Sequence, residues 1–202
     1  DLYLLVEAKM SDFTNEVKET FYFNVVISLL LTIAITIIVL VYVRKIHGKL
    51  NQLVDYDPLT DLPNRRFFNK SLDHALLLKK RNKTNLSMLF LDLDNFKEIN
   101  DTKGHDVGDK VLKHIAKILN TTIRETDFIS RWGGEEFVVL LLDSDIEGAI
   151  FSAEKIRQTI EKDMSLFGLV DHKVTASFGV TEVQSDDDID AIFKRADRAL
   201  YK

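Results

Sequence analysis

The feature that most constrains this chain is a long stretch that contains no charged residue. From Phe21 to Val43 the sequence reads FYFNVVISLLLTIAITIIVLVYV. At about 1.5 Å per residue, a helix over this stretch is roughly 34 Å long, which is enough to cross a bilayer. It is too long for the apolar part of a signal peptide, and no basic segment precedes it. We therefore predict a transmembrane helix over 21–43 rather than a signal peptide or a buried core helix.

The charges on either side of this stretch predict its orientation. Arg44, Lys45 and Lys49 follow it closely. Residues 1–20 are mainly acidic, with Asp1, Glu7, Asp12, Glu16 and Glu19 against Lys9 and Lys18. Because Lys and Arg accumulate at the cytoplasmic ends of membrane spans, the part of the chain after the span should be cytoplasmic.

The segments that flank the span are short. Residues 1–20 are too few for a domain, and we expect them to be the last helix of an extracytoplasmic sensor region. Residues 44–56 should form a juxtamembrane linker helix, in which Ile46, Leu50 and Leu53 make a short apolar seam of the coiled-coil type, broken at Gly48.

Composition excludes some classes of function. The chain has no cysteine, so disulfides and thiolate metal sites are absent from it. Its formal net charge of −5 gives no overall indication of nucleic-acid binding.

Residues 57–202 alternate between helix and strand patterns. Helical periodicity is expected around 67–80, 109–119, 149–160 and 189–200, and strands at 86–94, 127–131, 137–142 and 173–183. The second and third strands flank a Gly-Gly turn and should form a hairpin. This pattern predicts a single α/β domain, an α+β sandwich.

Acidic residues recur in pairs at two places in this domain. In RWGGEEF, Glu135 and Glu136 follow Gly133 and Gly134, which would be an ordinary turn with a solvated exit if read alone. Asp92 and Asp94 end the first strand on one face, although an Asp after a strand is also common turn chemistry. If the two strands are neighbours, the carboxylates could meet and hold divalent cations with oxygen ligands. Such a site suits phosphates.

Five motifs, in order, carry a family resemblance. They are DPLTDLPNRR at 57–66, FLDLDNFKEINDTKGHDVGD at 90–109, RWGGEEF at 131–137, VTASFGV at 174–180 and RADRALY at 195–201. Together they resemble the signatures of the GGDEF family of diguanylate cyclases. The resemblance implies a nucleotidyl-cyclase, palm-like fold with a central, mainly antiparallel sheet. It also implies a bacterial inner-membrane signalling enzyme with a single span and a cytoplasmic catalytic domain.

The family reaction condenses two GTP molecules to cyclic di-GMP and pyrophosphate across a homodimer. By resemblance, Asp92 and Glu136 bind metal with the Leu93 carbonyl, and Glu135 takes part in metal binding or in activation of the 3′-hydroxyl. The metal would be Mg²⁺, with Mn²⁺ as an alternative.

The resemblance also implies how the nucleotide is held. Asn100 and Asp109 match the pair that reads guanine. Gly133 and Gly134 would let the backbone approach the phosphates closely. Lys97 and Arg131 would be phosphate-binding or structural cations.

A second site is implied upstream of the hairpin. Arg124 and Asp127 form an RxxD where the family binds its product as an inhibitor. The alternative is a charged turn in which Asp127 is a capping residue. Lys155 would stand in for a supporting arginine of some members, and inhibition should then be weaker because lysine lacks the bidentate fork.

The chain departs from the family pattern at two places, and one rival interpretation stays open. Glu135 stands where the motif has aspartate, a variant also found in active members. Members continue beyond the RADRALY helix into a basic segment, so this chain should bind GTP less well. The rival is an inactive module that binds cyclic di-GMP or GTP, which the retained Asp92, Glu135 and Glu136 disfavour.

Two other residues are expected to have structural roles. His105 should be a hydrogen-bonding loop residue, and Trp132 should pack beside the hairpin.

Overall fold

In the computed structural model the backbone is described for residues 2–51 and 55–200, and side chains for 17–18, 20–45 and 55–200. The chain divides into two compact units, Asp1–Val54 and Asp55–Lys202.

The first unit is one continuous helix, α1 (Leu2–Asn51). Within it, Thr20–Lys45 is long and apolar enough to cross a membrane, with a mean hydropathy of 2.9. The hydroxyl groups of Thr32 and Thr36 each donate to the carbonyl oxygen four residues earlier, at 2.8 Å. These bonds satisfy the hydroxyl donors within the helix itself.

The predicted break at Gly48 is wrong, because the backbone of α1 stays helical through this residue. A single glycine costs a helix only about 1 kcal/mol relative to alanine, so its neighbours can keep it helical. The proposed apolar seam is not described: Leu53 and the side chains of Ile46 and Leu50 lie outside the described residues.

The second unit contains six helices and four strands within its described residues. The strands are β1 (Leu86–Leu93), β2 (Phe128–Gly133), β3 (Glu136–Leu142) and β4 (Ala176–Glu182). The helices are α2 (Arg65–Asn82), α3 (Phe96–Lys103), α4 (His105–Thr122), α5 (Ile146–Glu161), α6 (Met164–Val170) and α7 (Ile189–Leu200). The predicted alternation of helices and strands is therefore confirmed.

The four strands form one antiparallel sheet in the order β2-β3-β1-β4. Successive side chains of β1 point to opposite faces, so Leu89 and Leu91 join the core under α4 and α5, whereas Met88 and Phe90 join the core under α2 and α7. Helices cover both faces of the sheet. The fold is the predicted α+β sandwich.

Two short helices were not predicted from the sequence. Helix α3 follows Asn95, whose φ of +56° turns the chain sharply out of β1. Helix α6 has only seven residues and includes Gly168. His105, which was expected in a loop, is instead the exposed first residue of α4. Helices as short as α3 and α6 carry too little periodicity to be recognised from sequence.

Candidate active site

The hairpin between β2 and β3 has a two-residue turn, Gly134–Glu135, closed by the pair Gly133 and Glu136. The turn is thus one residue later than the Gly133–Gly134 turn predicted from the sequence. Gly134 has a φ of +53°, a conformation that favours glycine. A register shift between Arg131 and Gly133 makes Trp132 the extra residue of a β-bulge. This bulge and the turn fix where the two glutamates stand.

Arg131 braces the hairpin from inside the fold. Its Nε and Nη2 atoms donate to the Gly134 carbonyl oxygen at 3.0 and 2.8 Å, and Nη1 donates to Asp57 Oδ1 at 2.9 Å. Burial raises the pKa of Asp57, but hydrogen bonds from Thr60 and Arg131 outweigh it and hold the pKa below its usual value. Of the two roles the sequence left open for Arg131, these contacts support the structural one.

Asp92 and Glu136 face each other across neighbouring strands. The pairing of β1 with β3 places them directly opposite, on the sheet face that carries Phe90. Both side chains are half-buried. Burial raises the pKa of Asp92, and the charges of Glu135 and Asp94 raise it further. Burial likewise raises the pKa of Glu136, followed by repulsion from Asp92 and Glu135. The carboxylates predicted to meet are therefore brought together.

Asp94 has a different environment from Asp92. Its carboxylate accepts hydrogen bonds from the hydroxyl groups of Thr175 and Ser177, both at 2.6 Å, and its backbone N–H donates to the Thr175 carbonyl oxygen at 3.0 Å. Asp94 thus ties the end of β1 to the start of β4. Its structural role leaves Asp92 as the carboxylate of β1 that faces the hairpin.

Glu136 also borders a cavity of about 360 Å³ lined by α2 and α7. Trp132 stacks on Phe193 there, with ring centroids 4.0 Å apart, and the Arg65 guanidinium lies 4.3 Å above the indole ring. The predicted packing of Trp132 is therefore observed. Asp197 raises the pKa of Glu136 and Arg65 lowers it. Neither Arg65 nor Asp197 could be assigned to this site from the sequence, because they lie in segments far from Glu136 along the chain.

The proposed guanine-reading residues lie at the meeting of α3 and α4. A Cβ on Gly108 would stand 2.0 Å from Asn100 Oδ1, so the Asn100 amide packs directly on the residue before Asp109. Asn100 is half-buried, and Asp109 and Lys97 are exposed. Gly108 therefore gives the Asn100 amide room beside the residue that precedes Asp109, a role that no local sequence pattern indicated.

Arg124, Asp127 and Lys155 line one cavity of about 310 Å³ on another part of the domain. The RxxD segment is a turn, in which the Asp127 N–H donates to the Arg124 carbonyl oxygen at 3.0 Å. Asp127 Oδ1 accepts from the Leu142 N–H at 3.0 Å, securing the end of β3. Burial raises the pKa of Asp127, although the Leu142 hydrogen bond and the Arg124 charge oppose this. This geometry is compatible both with a charged turn in which Asp127 is a capping residue and with a ligand pocket that Arg124, Asp127 and Lys155 share.

The second unit is an antiparallel sheet between two helical layers, with carboxylates beside a glycine hairpin. Solved structures of GGDEF domains share this fold. The GGDEF domain of DgcB from Caulobacter crescentus, solved with c-di-GMP, matches 73% of this chain and 85% of its own, with 31% identity and a TM-score of 0.66. The active GGEEF domain of a diguanylate cyclase from Vibrio cholerae matches 68% of this chain and 88% of its own, with 38% identity and a TM-score of 0.64.

The chain belongs to the GGDEF family, since the family model for the diguanylate cyclase GGDEF domain matches residues 54–202. Among curated relatives, diguanylate cyclase DgcP of Pseudomonas aeruginosa is 42% identical over 72% of this chain and 22% of its own length. Diguanylate cyclase DgcM of Escherichia coli is 37% identical over 79% of this chain and 38% of its own. The chain thus spans well under half of these relatives.

Proposed function

We propose that this chain condenses two GTP molecules to cyclic di-GMP and two pyrophosphates. The observation that carries the proposal is the register of β1 and β3, which sets Asp92 opposite Glu136 beside the hairpin of the family motif. Burial and neighbouring carboxylates raise the pKa of both Asp92 and Glu136, so these two half-buried groups form a site that gains from a bound cation.

The residues present fit a divalent cation whose remaining ligands are supplied by substrate phosphates and water. Among the described residues, no group of three or more His, Cys, Asp or Glu side chains is arranged to hold a metal ion alone. Mg²⁺ characteristically takes one or two carboxylates together with substrate phosphates and water. Asp92 and Glu136, with the Leu93 carbonyl, would hold Mg²⁺ or Mn²⁺. The bound cation would neutralise phosphate charge near the α-phosphate.

The other proposed site residues bind and orient GTP. Asp109 can accept from guanine N1–H and N2–H, and Asn100 can pair with the remaining edge. A Cβ at Gly133 or Gly134 would meet no atom within 4 Å, so the space beside the hairpin is open to the triphosphate. Exposed Lys97 lies at the start of α3 as a phosphate-binding cation. Glu135 would take the proton from the attacking 3′-hydroxyl or assist in binding the cation.

The reaction requires a homodimer, because one product molecule contains two guanylates and each domain offers one such site. Each protomer would present its GTP so that its 3′-hydroxyl attacks the α-phosphate held by the partner. Gly133 and Gly134 are exposed, which leaves the hairpin accessible to a facing protomer.

Two further elements of the proposal concern regulation. Arg124 and Asp127, with Lys155, would bind cyclic di-GMP and inhibit the enzyme by feedback. Helix α1 would anchor the chain in the inner membrane through Thr20–Lys45, with the GGDEF domain in the cytoplasm. Residues 1–20 would belong to a sensor region and 44–56 to the linker that transmits its signal.

The decisive experiment uses the chain in detergent micelles with GTP and Mg²⁺. Chromatography should detect cyclic di-GMP from the natural sequence and none from Glu136→Gln. Retained turnover in Glu136→Gln would contradict the metal-binding role of this residue.

The regulatory element has its own test. Arg124→Ala should abolish inhibition by added cyclic di-GMP while the initial rate stays unchanged. Inhibition that persists unchanged would remove the product site from the proposal.

A further inference from the structure

An exposed aromatic ring lies at the edge of the cavity that contains Arg124 and Asp127. The Phe151 side chain is 72% exposed, yet it is one of the residues that line this cavity. Burying a phenylalanine ordinarily stabilises a fold relative to leaving the ring exposed. At this exposure the ring contributes little to the domain core, so its placement at a cavity calls for another explanation.

Phe151 and Lys155 are one helical turn apart on α5, and both line the cavity. The Lys155 ammonium donates to the Thr122 carbonyl oxygen at 3.4 Å. Unlike the guanidinium of arginine, an ammonium has no planar face that can stack on a base. Phe151 supplies such a face one helical turn away on the same cavity wall.

The charges lining the cavity do not suit an anion by themselves. Two cations, Arg124 and Lys155, are accompanied by three aspartates, Asp127, Asp143 and Asp145. A ligand with two phosphodiester anions would therefore gain little from overall charge, so its bases must contribute to binding.

The aspartates can serve those bases. Asp127 Oδ1 accepts from the Leu142 N–H, and Asp145 Oδ1 accepts from the Gly148 N–H at 2.9 Å, the N-cap bond of α5. Each of these carboxylates has a second oxygen, which can accept from the N1–H and N2–H groups of guanine. A planar base with donors along one edge therefore matches an aromatic face flanked by carboxylates.

We propose that Phe151 is the stacking platform for a guanine base of cyclic di-GMP in this cavity. The proposal rests on the product site described above and goes further, because it assigns recognition of the base to an aromatic residue of α5. Base stacking then sets the affinity of the site, and the Lys155 charge adds to it.

The test measures cyclic di-GMP binding to the full chain in detergent micelles by titration calorimetry. Stacking on an aromatic side chain is worth about 1–3 kcal/mol per base, so Phe151→Ala should weaken binding at least about fivefold. Phe151→Trp should retain binding, whereas Phe151→Leu, which is apolar but not aromatic, should lose as much as alanine does. Phe167→Ala is the matched control, since Phe167 is also exposed, at 43%, and does not line the cavity.

The outcomes separate this proposal from the one it rests on. If Arg124→Ala abolishes binding while Phe151→Ala and Phe151→Leu bind as the natural chain does, the stacking platform is overturned and the product site stands. If the natural chain does not bind cyclic di-GMP, the product site itself fails and the platform with it. Equal losses in Phe151→Ala and Phe167→Ala would also contradict a specific role for Phe151.

Discussion

Replacement of Arg131 by alanine tests whether this residue braces the hairpin or holds substrate. The change removes three hydrogen bonds, two to the Gly134 carbonyl oxygen and one to the Asp57 carboxylate. The side chains of Arg131 and Asp57 are only 14% and 19% exposed, so solvent replaces the bond between them poorly. With the bond to the Asp57 carboxylate worth about 1.5–3 kcal/mol, and the two bonds to the one Gly134 carbonyl oxygen together worth about 1 kcal/mol, the loss should be about 2.5–4 kcal/mol.

The assay is urea denaturation of the full chain in micelles, followed by tryptophan fluorescence. Trp132 is the only tryptophan, and it adjoins Arg131, so the signal reports on the hairpin. Arg157→Ala is the matched control, because Arg157 forms more exposed ion pairs with Glu154 and Glu161 within α5 and should matter much less.

The pH dependence gives a second measurement on the same variant. Because the folded-state pKa of Asp57 lies below its ordinary value of 3.8, its stabilisation is complete above that value and is lost as pH falls through the folded pKa. The stability difference between the natural chain and Arg131→Ala should therefore shrink below about pH 3.8. A destabilisation no larger than that of Arg157→Ala would refute the brace and favour contact with substrate.

Three other variants test the site and the fold. Without divalent metal, Glu136→Gln should raise the denaturation midpoint at pH 7, since the raised pKa means that the ionised side chain is disfavoured in the fold; the gain should vanish below the ordinary pKa of 4.5. Asp94→Ala should cost about 2–3 kcal/mol, measured by urea denaturation, because the hydroxyl groups of Thr175 and Ser177 lose their charged acceptor. Gly179→Ala should cost at least about 3 kcal/mol, since its Cβ would stand 2.0 Å from the Ala196 carbonyl oxygen. Gly168→Ala, in open space on α6, is the control and should cost nothing.

Much of the fold followed from local patterns. The alternating helix and strand segments, the hairpin and the long apolar helix each depend on periodicity or turn chemistry within a few residues. The facing of Asp92 and Glu136 was also foreseeable, on the condition that β1 and β3 are neighbours.

What the sequence could not supply is contact between distant residues. Arg131 is braced by Asp57, Asp94 is held by Thr175 and Ser177, and no local pattern links these positions. The turn was placed one residue too early, because the bulge at Trp132 shifts the register of β2. Tertiary contacts decided these details.

The most direct test of the central claim is the product formed from GTP. The chain in micelles, with saturating GTP and Mg²⁺, should release cyclic di-GMP and two pyrophosphates per product, and Asp92→Asn should release neither. If the natural chain binds GTP or cyclic di-GMP and forms no product, it is a nucleotide-binding signalling module, and the assignment of Asp92 and Glu136 to catalysis is contradicted.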